Sequence, residues 1–248
     1  YFHVHETSPV IPIPNGETLV SVSFKHLGET FRDIRQYKVF LRYMVAFLIY
    51  NDGIMMLMDF AAIIGATLFG LDQVQLIIFV IIIHITGALG ALAFGKLSDE
   101  QSSKRAILIS LIVLIASLIT LFFVKSTLGF YIVGAFAGFS LSGAQAVSRT
   151  MVSQLAPVGK TTEFYGFLSV AGRTSTFIGP LVFGTLSYRM YQYYLNLGLA
   201  ELAAEKAGQY WGIGSIIAFL LIGFVILLSV REVTASKPMT YPKEHELN

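Results

Sequence analysis

The chain has 248 residues, of which 55% are hydrophobic and only 13% charged, with a formal net charge of +2, no cysteine and a mean hydropathy of +0.70. So apolar a composition lies outside the range of an ordinary water-soluble domain and puts the chain in a lipid bilayer. Lack of cysteine excludes disulfides and thiolate metal sites, and lack of any long basic run argues against nucleic acid as a partner.

Residues 1–38 are polar and proline-bearing and read as a cytoplasmic linker. They start at Tyr1 rather than Met, so we expect a fragment of a longer protein. Pro9, Pro12 and Pro14 favour extended backbone, and His3, His5 and Glu6 are too few for a metal site; no metal or cofactor is expected. Phe24, Leu27, Phe31 and Ile34 then recur at helical spacing with Lys25, Arg32 and Arg35 between them, as in an amphipathic helix lying in the membrane interface. Six apolar runs follow, at Val39 to Ala66, Gln73 to Gly95, Ala106 to Val124, Leu128 to Gln154, Phe164 to Tyr188 and Tyr210 to Val230. Each is near the roughly 20 residues that a helix needs to cross the hydrocarbon, and none alternates as a barrel strand would. The fold class expected is therefore an all-α membrane protein, with a six-helix bundle over residues 39–230 and a cytoplasmic tail over 231–248.

Lysine and arginine in the loops set the orientation. Seventeen are present. Thirteen fall on the side shared by the termini, the second-to-third loop and the fourth-to-fifth loop; Lys125, Arg189 and Lys206 fall on the other, and Arg173 lies inside the fifth run. Both termini are thus expected in the cytoplasm. On the opposite side Tyr188, Tyr191, Tyr193, Tyr194, Tyr210 and Trp211 bracket the fifth-to-sixth loop as interfacial anchors.

Charged and polar groups inside the runs are costly in lipid and mark candidate sites. Asp52 sits near the middle of the first run, and Asp59, seven residues on, shares nearly the same helical face; together they could carry a proton or cation, or pair with Arg173 to hold helices together. Arg173, about ten residues inside the fifth run, could bind an anionic group such as a substrate carboxylate. His84 admits a proton shuttle or a neutral ring hydrogen-bonded to a neighbouring helix. Gln145 and Arg149 lie four residues apart on one face of the fourth run, either gating the inner mouth or serving as interhelical bond and anchor. Glu163 suits the N-terminal dipole of its helix. The third and sixth runs hold no ionisable residue, which fits scaffold helices.

An internal echo supports that grouping. Phe94-Gly95-Lys96-Leu97-Ser98 closes the second run and Phe183-Gly184-Thr185-Leu186-Ser187 closes the fifth. An offset of three spans reverses membrane direction, so a true repeat would be an inverted three-plus-three one. Glycines add mechanics: Gly134, Gly138 and Ser142 form a small-residue stripe, and Gly179-Pro180 should kink the fifth helix as a hinge or a tolerated irregularity.

Gly95-Lys96-Leu97-Ser98-Asp99 followed by Lys104-Arg105 resembles the G-x-L-x-D signature loop of the major facilitator superfamily. There a glycine permits close approach, while an aspartate can cap a neighbouring helix and pair with a basic residue to latch one conformation. Gln101, Ser102 and Ser103 depart from the usual loop, which bears on the tightness of the turn. Leu48-Ile49-Tyr50-Asn51-Asp52-Gly53, Gln145-Ala146-Val147-Ser148-Arg149, Glu163-Phe164-Tyr165-Gly166-Phe167 and Gly179-Pro180-Leu181-Val182-Phe183-Gly184, in that order, resemble the vacuole-effluxer, or autophagy-related permease, branch. The resemblance covers about Arg42 to Val230. It implies the C-terminal six-helix half of a twelve-helix secondary transporter, partnered by an N-terminal half, that moves small solutes by alternating access. Fungal members are associated with amino-acid release from the vacuole, so the membrane would be vacuolar in a fungus and the inner membrane in a bacterium. Catalytic motifs such as Gly-x-Ser-x-Gly, His-Glu-x-x-His or a Walker loop are absent from the sequence, so no enzyme is expected. A non-transporting receptor or assembly protein on the same fold is the alternative.

Overall fold

A computed structural model describes residues 37–157, 160–175 and 177–231. Among these, seven helices account for the six expected spans: α1 (Lys38–Phe69), α2 (Gln73–Glu100), α3 (Ser103–Leu121), α4 (Thr127–Leu155), α5 (Thr161–Ser175), α6 (Ile178–Asn196) and α7 (Glu201–Leu228). Five of them, α1 to α4 and α7, are long and apolar enough to cross a membrane. The fifth span, expected as one continuous run, is divided into α5 and α6. Its break has a local cause: Pro180 lacks a backbone N–H, and it lies in the first turn of α6, where that donor would have no partner in the helix anyway. The expected interfacial helix near Phe24 and the cytoplasmic tail lie outside the described residues.

Short, well-capped turns hold successive spans antiparallel. Gly70 ends α1 at φ 66°, in the left-handed region, and its N–H reaches the Ala66 carbonyl at 3.0 Å. Two residues later Asp72 opens α2 with a reciprocal capping box, its carboxylate accepting from the Gln75 N–H at 2.9 Å while the Gln75 side chain accepts from the Asp72 N–H at 3.0 Å. Ser126 caps α4 through a 3.1 Å bond from the Gly129 N–H. Caps of this kind stabilise a helix end by about 1 kcal/mol each.

Packing follows the two triplets. α2 lies along α4, α1 along α7, α3 along α4, and α6 along α7, with α1 meeting α4 through the centre. The two echo phenylalanines occupy corresponding places: Phe94 of the second span packs on Phe139 of the fourth at 5.3 Å between ring centroids, and Phe183 of the fifth stacks on Phe60 of the first at 3.9 Å. Partners thus exchange between triplets as an inverted repeat requires.

The small-residue stripe on α4 is pressed against α2. A Cβ on Gly138 would lie 2.8 Å from the Ile83 carbonyl oxygen and 2.9 Å from Thr86 Oγ1, and one on Gly90 would run into the Phe139 carbonyl. Backbones approach this closely only where side chains are missing, and in lipid such van der Waals contact is what holds helices together.

Candidate solute cleft

Three helix faces converge on a cleft of about 340 Å³ between α1, α4 and α5. From α1 come Phe47, Asn51 and Met55, spaced four apart; from α4, Gln145 and Arg149, also four apart; from α5, Leu168, Ser169, Gly172 and Arg173. Helical periodicity alone aligns each set on one face. The break in the fifth span places Arg173 in the last turn of α5, where its positive charge also meets the negative end of the helix dipole. Arg149 and Arg173 are exposed to the cleft's open side, Gln145 is half-buried, and Asn51 is buried. The Gln145 amide approaches Met58 Sδ at 3.8 Å, bridging α4 to α1. Two guanidinium groups beside two side-chain amides form a donor-rich wall suited to an anionic group on a small molecule.

The cleft rests on a buried polar network between α1 and α4. Ser148 Oγ donates to the Ala144 carbonyl at 2.5 Å, and Tyr50 Oη donates to Ser148 Oγ at 2.6 Å. Tyr43 Oη donates to the Ser148 carbonyl at 2.8 Å. On the other wall Tyr165 Oη donates to the Arg149 carbonyl at 2.7 Å, and Phe164 packs on Phe40 at 4.4 Å, which fixes α5 to both neighbours. Glu163 lies in the first turn of α5, as its dipole role requires.

Of the residues singled out from sequence, Gln145, Arg149 and Arg173 come together here. Asp52 is buried, but it lines a different, largely apolar cavity with Val45, Leu48, Ile49, Ile178 and Phe219. Its chain neighbour Asn51 faces the cleft, because successive residues on a helix diverge by about 100°. Gly179 makes the close approach beside it: a Cβ there would lie 2.7 Å from Met56 Cγ and 3.2 Å from the Asp52 carbonyl oxygen. Asp59 is exposed, outside both cavities. His84 is also exposed, at the rim of an apolar cavity walled by α1 to α4; its Nδ1–H donates to the Val80 carbonyl at 2.7 Å, within its own helix rather than to a neighbouring one.

The signature segment differs from the expected loop in three respects. Gly95 to Asp99 are helical, inside α2, and only Gln101 and Ser102 lie between α2 and α3, so the turn is tight despite its unusual residues. Ser102, not Asp99, caps α3, its hydroxyl accepting from the Arg105 N–H at 3.2 Å, because Asp99 is still within the preceding helix. Gly95 meets nothing within 4 Å where a Cβ would project, so the close approach expected there is not made among the described residues. Lys104 has a definite partner set: Nζ donates to the carbonyls of Leu228 at 2.8 Å and Val230 at 2.6 Å, capping the end of α7. Ser98 and Ser103 bond to each other at 2.8 Å, and Ser103 Oγ donates to Gln154 Oε1 at 2.8 Å, so the turn ties α2, α3, α4 and α7 together. Asp99 and Arg105 are exposed beside it.

Sequence reasoning missed Asn51 and the Tyr43–Tyr50–Ser148 network. Asn51 had a signal, an amide deep in an apolar run, overshadowed by the adjacent carboxylate.

This arrangement of spans occurs in the inward-open xylose transporter XylE from E. coli, with a TM-score of 0.60 and 15% identity over 79% of this chain and 48% of that one; at such identity the likeness is one of fold. The protein is a multi-pass integral membrane protein built as one six-helix half of a major facilitator fold. Residues 2–195 match the sequence profile of the family described as "Vacuole effluxer Atg22 like", and the chain belongs to that family, one of effluxers rather than enzymes. Curated relatives include YxiO of Bacillus subtilis, described as an uncharacterized MFS-type transporter and 26% identical over 94% of this chain and 50% of its own length. Autophagy-related protein 22 of Yarrowia lipolytica is 28% identical over 69% of this chain and 31% of its own, and that of Kluyveromyces lactis 27% over 70% and 37%. The chain thus spans half or less of the relatives it matches.

Proposed function

We propose that the chain is the C-terminal half of an alternating-access secondary transporter for small solutes bearing a carboxylate, amino acids among them. The observation that carries this reading is the convergence of Arg149, Arg173, Gln145 and Asn51 on one cleft between the first, fourth and fifth spans. Guanidinium groups hold a carboxylate by paired charge-assisted bonds, and the amides orient the rest of the molecule. An N-terminal six-helix half closes the cleft from the opposite side; the half-length match to YxiO and XylE supports that partner. α2 supports it as well. Only 17% of its most apolar stretch is buried within this chain, against 39–50% for the other long spans, leaving a broad face for a second half or for lipid.

Coupling falls to Asp52, whose protonation would remove the charge that its apolar cavity penalises. Asp59 extends the route toward the membrane surface, and His84 stands by on α2. The α5–α6 break with Gly179 and Pro180 serves as the hinge, since proline is among the few causes of a sharp bend in a helix. Lys104 latches the cytoplasmic end through the carbonyls of α7, with Gly95, Asp99 and Arg105 turned to the other half. Both termini lie in the cytoplasm by the lysine and arginine asymmetry.

Solute flux into proteoliposomes tests the reading, using the full-length protein and an amino-acid panel with and without a proton gradient. Accumulation of one or more amino acids that responds to the gradient is expected, with loss of coupling in Asp52→Asn. A protein inert to the whole panel under both conditions would overturn the substrate assignment.

A further inference from the structure

The break in the fifth span leaves a groove on the surface of the bundle. After the break α6 packs along α7, but before it α5 packs on α1 and α4 instead. The space left between α1 and α7 is a cavity of about 260 Å³, bounded by Val45 and Ile49 of α1, Ile178 at the start of α6 and Phe219 of α7. Its lining is almost wholly apolar, and Val45 and Ile178 are each 44% exposed, so it opens outward. It shares no residue with the solute cleft. A turn of about 100° per residue points the Val45–Ile49–Asp52 face of α1 away from the Phe47–Asn51–Met55 face that lines that cleft.

The groove face of α1 continues toward its N-terminus as cations. Lys38, Arg42, Val45, Ile49 and Asp52 follow at steps of four, three, four and three, which is one helical stripe. Lys38 and Arg42 are exposed and stand at the start of the first apolar run, where the headgroups of a bilayer lie. A third cation comes from α7. It runs antiparallel to α1 with Gly223 against Tyr50, and a Cβ on Gly223 would lie 2.6 Å from Tyr50 Cβ. Arg42 is eight residues before Tyr50 and Arg231 eight after Gly223, so this register brings the exposed Arg231 to about the level of Arg42. None of the three makes an ion pair with a described carboxylate, and the first turn of α1 holds no acid. Cations gathered in this way repel one another until an anion joins them.

We propose that this groove holds an anionic phospholipid, with its phosphate between Arg42 and Arg231, Lys38 beside them, and one acyl chain laid in the cavity. Guanidinium groups offer a phosphate paired donors. One turn further along α1 the wall becomes apolar, which repeats the order of headgroup and chain in a lipid at the membrane surface. A free phosphate would meet the cations but leave the apolar cavity unused. A seated chain covers Asp52 from the surface of the bundle.

Native mass spectrometry of the full-length protein, titrated in detergent with phosphatidylglycerol, tests this, with phosphatidylcholine and inorganic phosphate as comparisons. Saturable binding of phosphatidylglycerol is expected, at least fivefold tighter than phosphatidylcholine and not displaced by an equal concentration of phosphate. Lys38→Gln combined with Arg42→Gln should weaken it at least fivefold, while Lys125→Gln, a loop cation at the other end of the bundle, leaves it unchanged. Val45→Trp tests the chain separately from the headgroup: by filling the cavity it should weaken phosphatidylglycerol at least threefold while the thermal midpoint holds. Equal binding of phosphatidylcholine, displacement by phosphate, or indifference to either the cation pair or Val45→Trp would each overturn the proposal.

Discussion

Two seams occupy equivalent places in the three-plus-three repeat, α2 against α4 and the fifth span against α1, and they are built in opposite ways. Along the first, Gly87, Gly90, Gly134, Gly138 and Gly143 let two unbroken helices interlock. Along the second, one helix is broken, Gly179 alone makes an approach of that closeness, and a polar cleft takes the place of contact; a Cβ on Gly172 would meet only Phe47, at 3.8 Å. Duplicated architecture has thus been spent on different tasks. A seam that can bear no added atom holds the bundle, while the seam with room and charge is the one on which the proposed binding and movement rest.

Substitution of Gly90 by leucine should have the largest effect on stability. Its side chain would be driven into the Phe139 backbone, which cannot yield as a side chain end does, so a loss of about 3 kcal/mol or more is expected. Thermal unfolding of the purified protein checks it; an unchanged midpoint would mean that the α2–α4 seam is looser than described. On the other seam Arg173→Gln should leave the midpoint nearly unchanged, yet weaken solute binding roughly 10- to 100-fold, the worth of about 1.5–3 kcal/mol for a charged hydrogen bond. Direct binding measurements separate these, and a fall in stability without a fall in affinity would make Arg173 structural.

Smaller effects sharpen the comparison. Lys104→Met removes the cap on the Leu228 and Val230 carbonyls and should cost about 1.5 kcal/mol, seen as faster amide exchange in the last turn of α7. Tyr50→Phe deletes one donor to Ser148, whose own bond to Ala144 survives, so a loss of about 1 kcal/mol is expected in chemical or thermal denaturation. Gly172→Ala comes last: with only an ordinary contact to Phe47 and a better helix former, it should stabilise α5 by less than about 1 kcal/mol while crowding the cleft, so solute affinity changes more than the midpoint.

Much of this was legible from residues alone. Apolar runs located the helices because hydrocarbon thickness demands such runs, five of those described being long and apolar enough to cross a membrane, and Gly179-Pro180 announced the irregularity in the fifth run. Glu201, Glu205 and Lys206 hid the first turns of α7, since hydropathy reads charges at a helix start as loop. Lys104 stood out in the sequence as a loop cation, but its partners did not, because backbone carbonyls leave no trace in a sequence. Asp52 and Arg173 both stood out as charges within apolar runs. Which faces they occupy depended on helix rotation and on the break after Arg173, and that rotation brought Asn51 rather than Asp52 to the cleft. Ser148 and its tyrosines looked like ordinary members of apolar runs, for a hydroxyl declares its role only when its partner helix is in place.

Site-specific thiol labelling tests the central claim most directly. A single cysteine is placed at Ser169, on the wall of the cleft, in a cysteine-free version of the full-length protein, and its alkylation rate is followed with and without a transported amino acid. The account predicts that the solute slows labelling severalfold and that Arg173→Gln abolishes this protection. Labelling that a transported solute leaves unchanged, or protection that persists without Arg173, would contradict it.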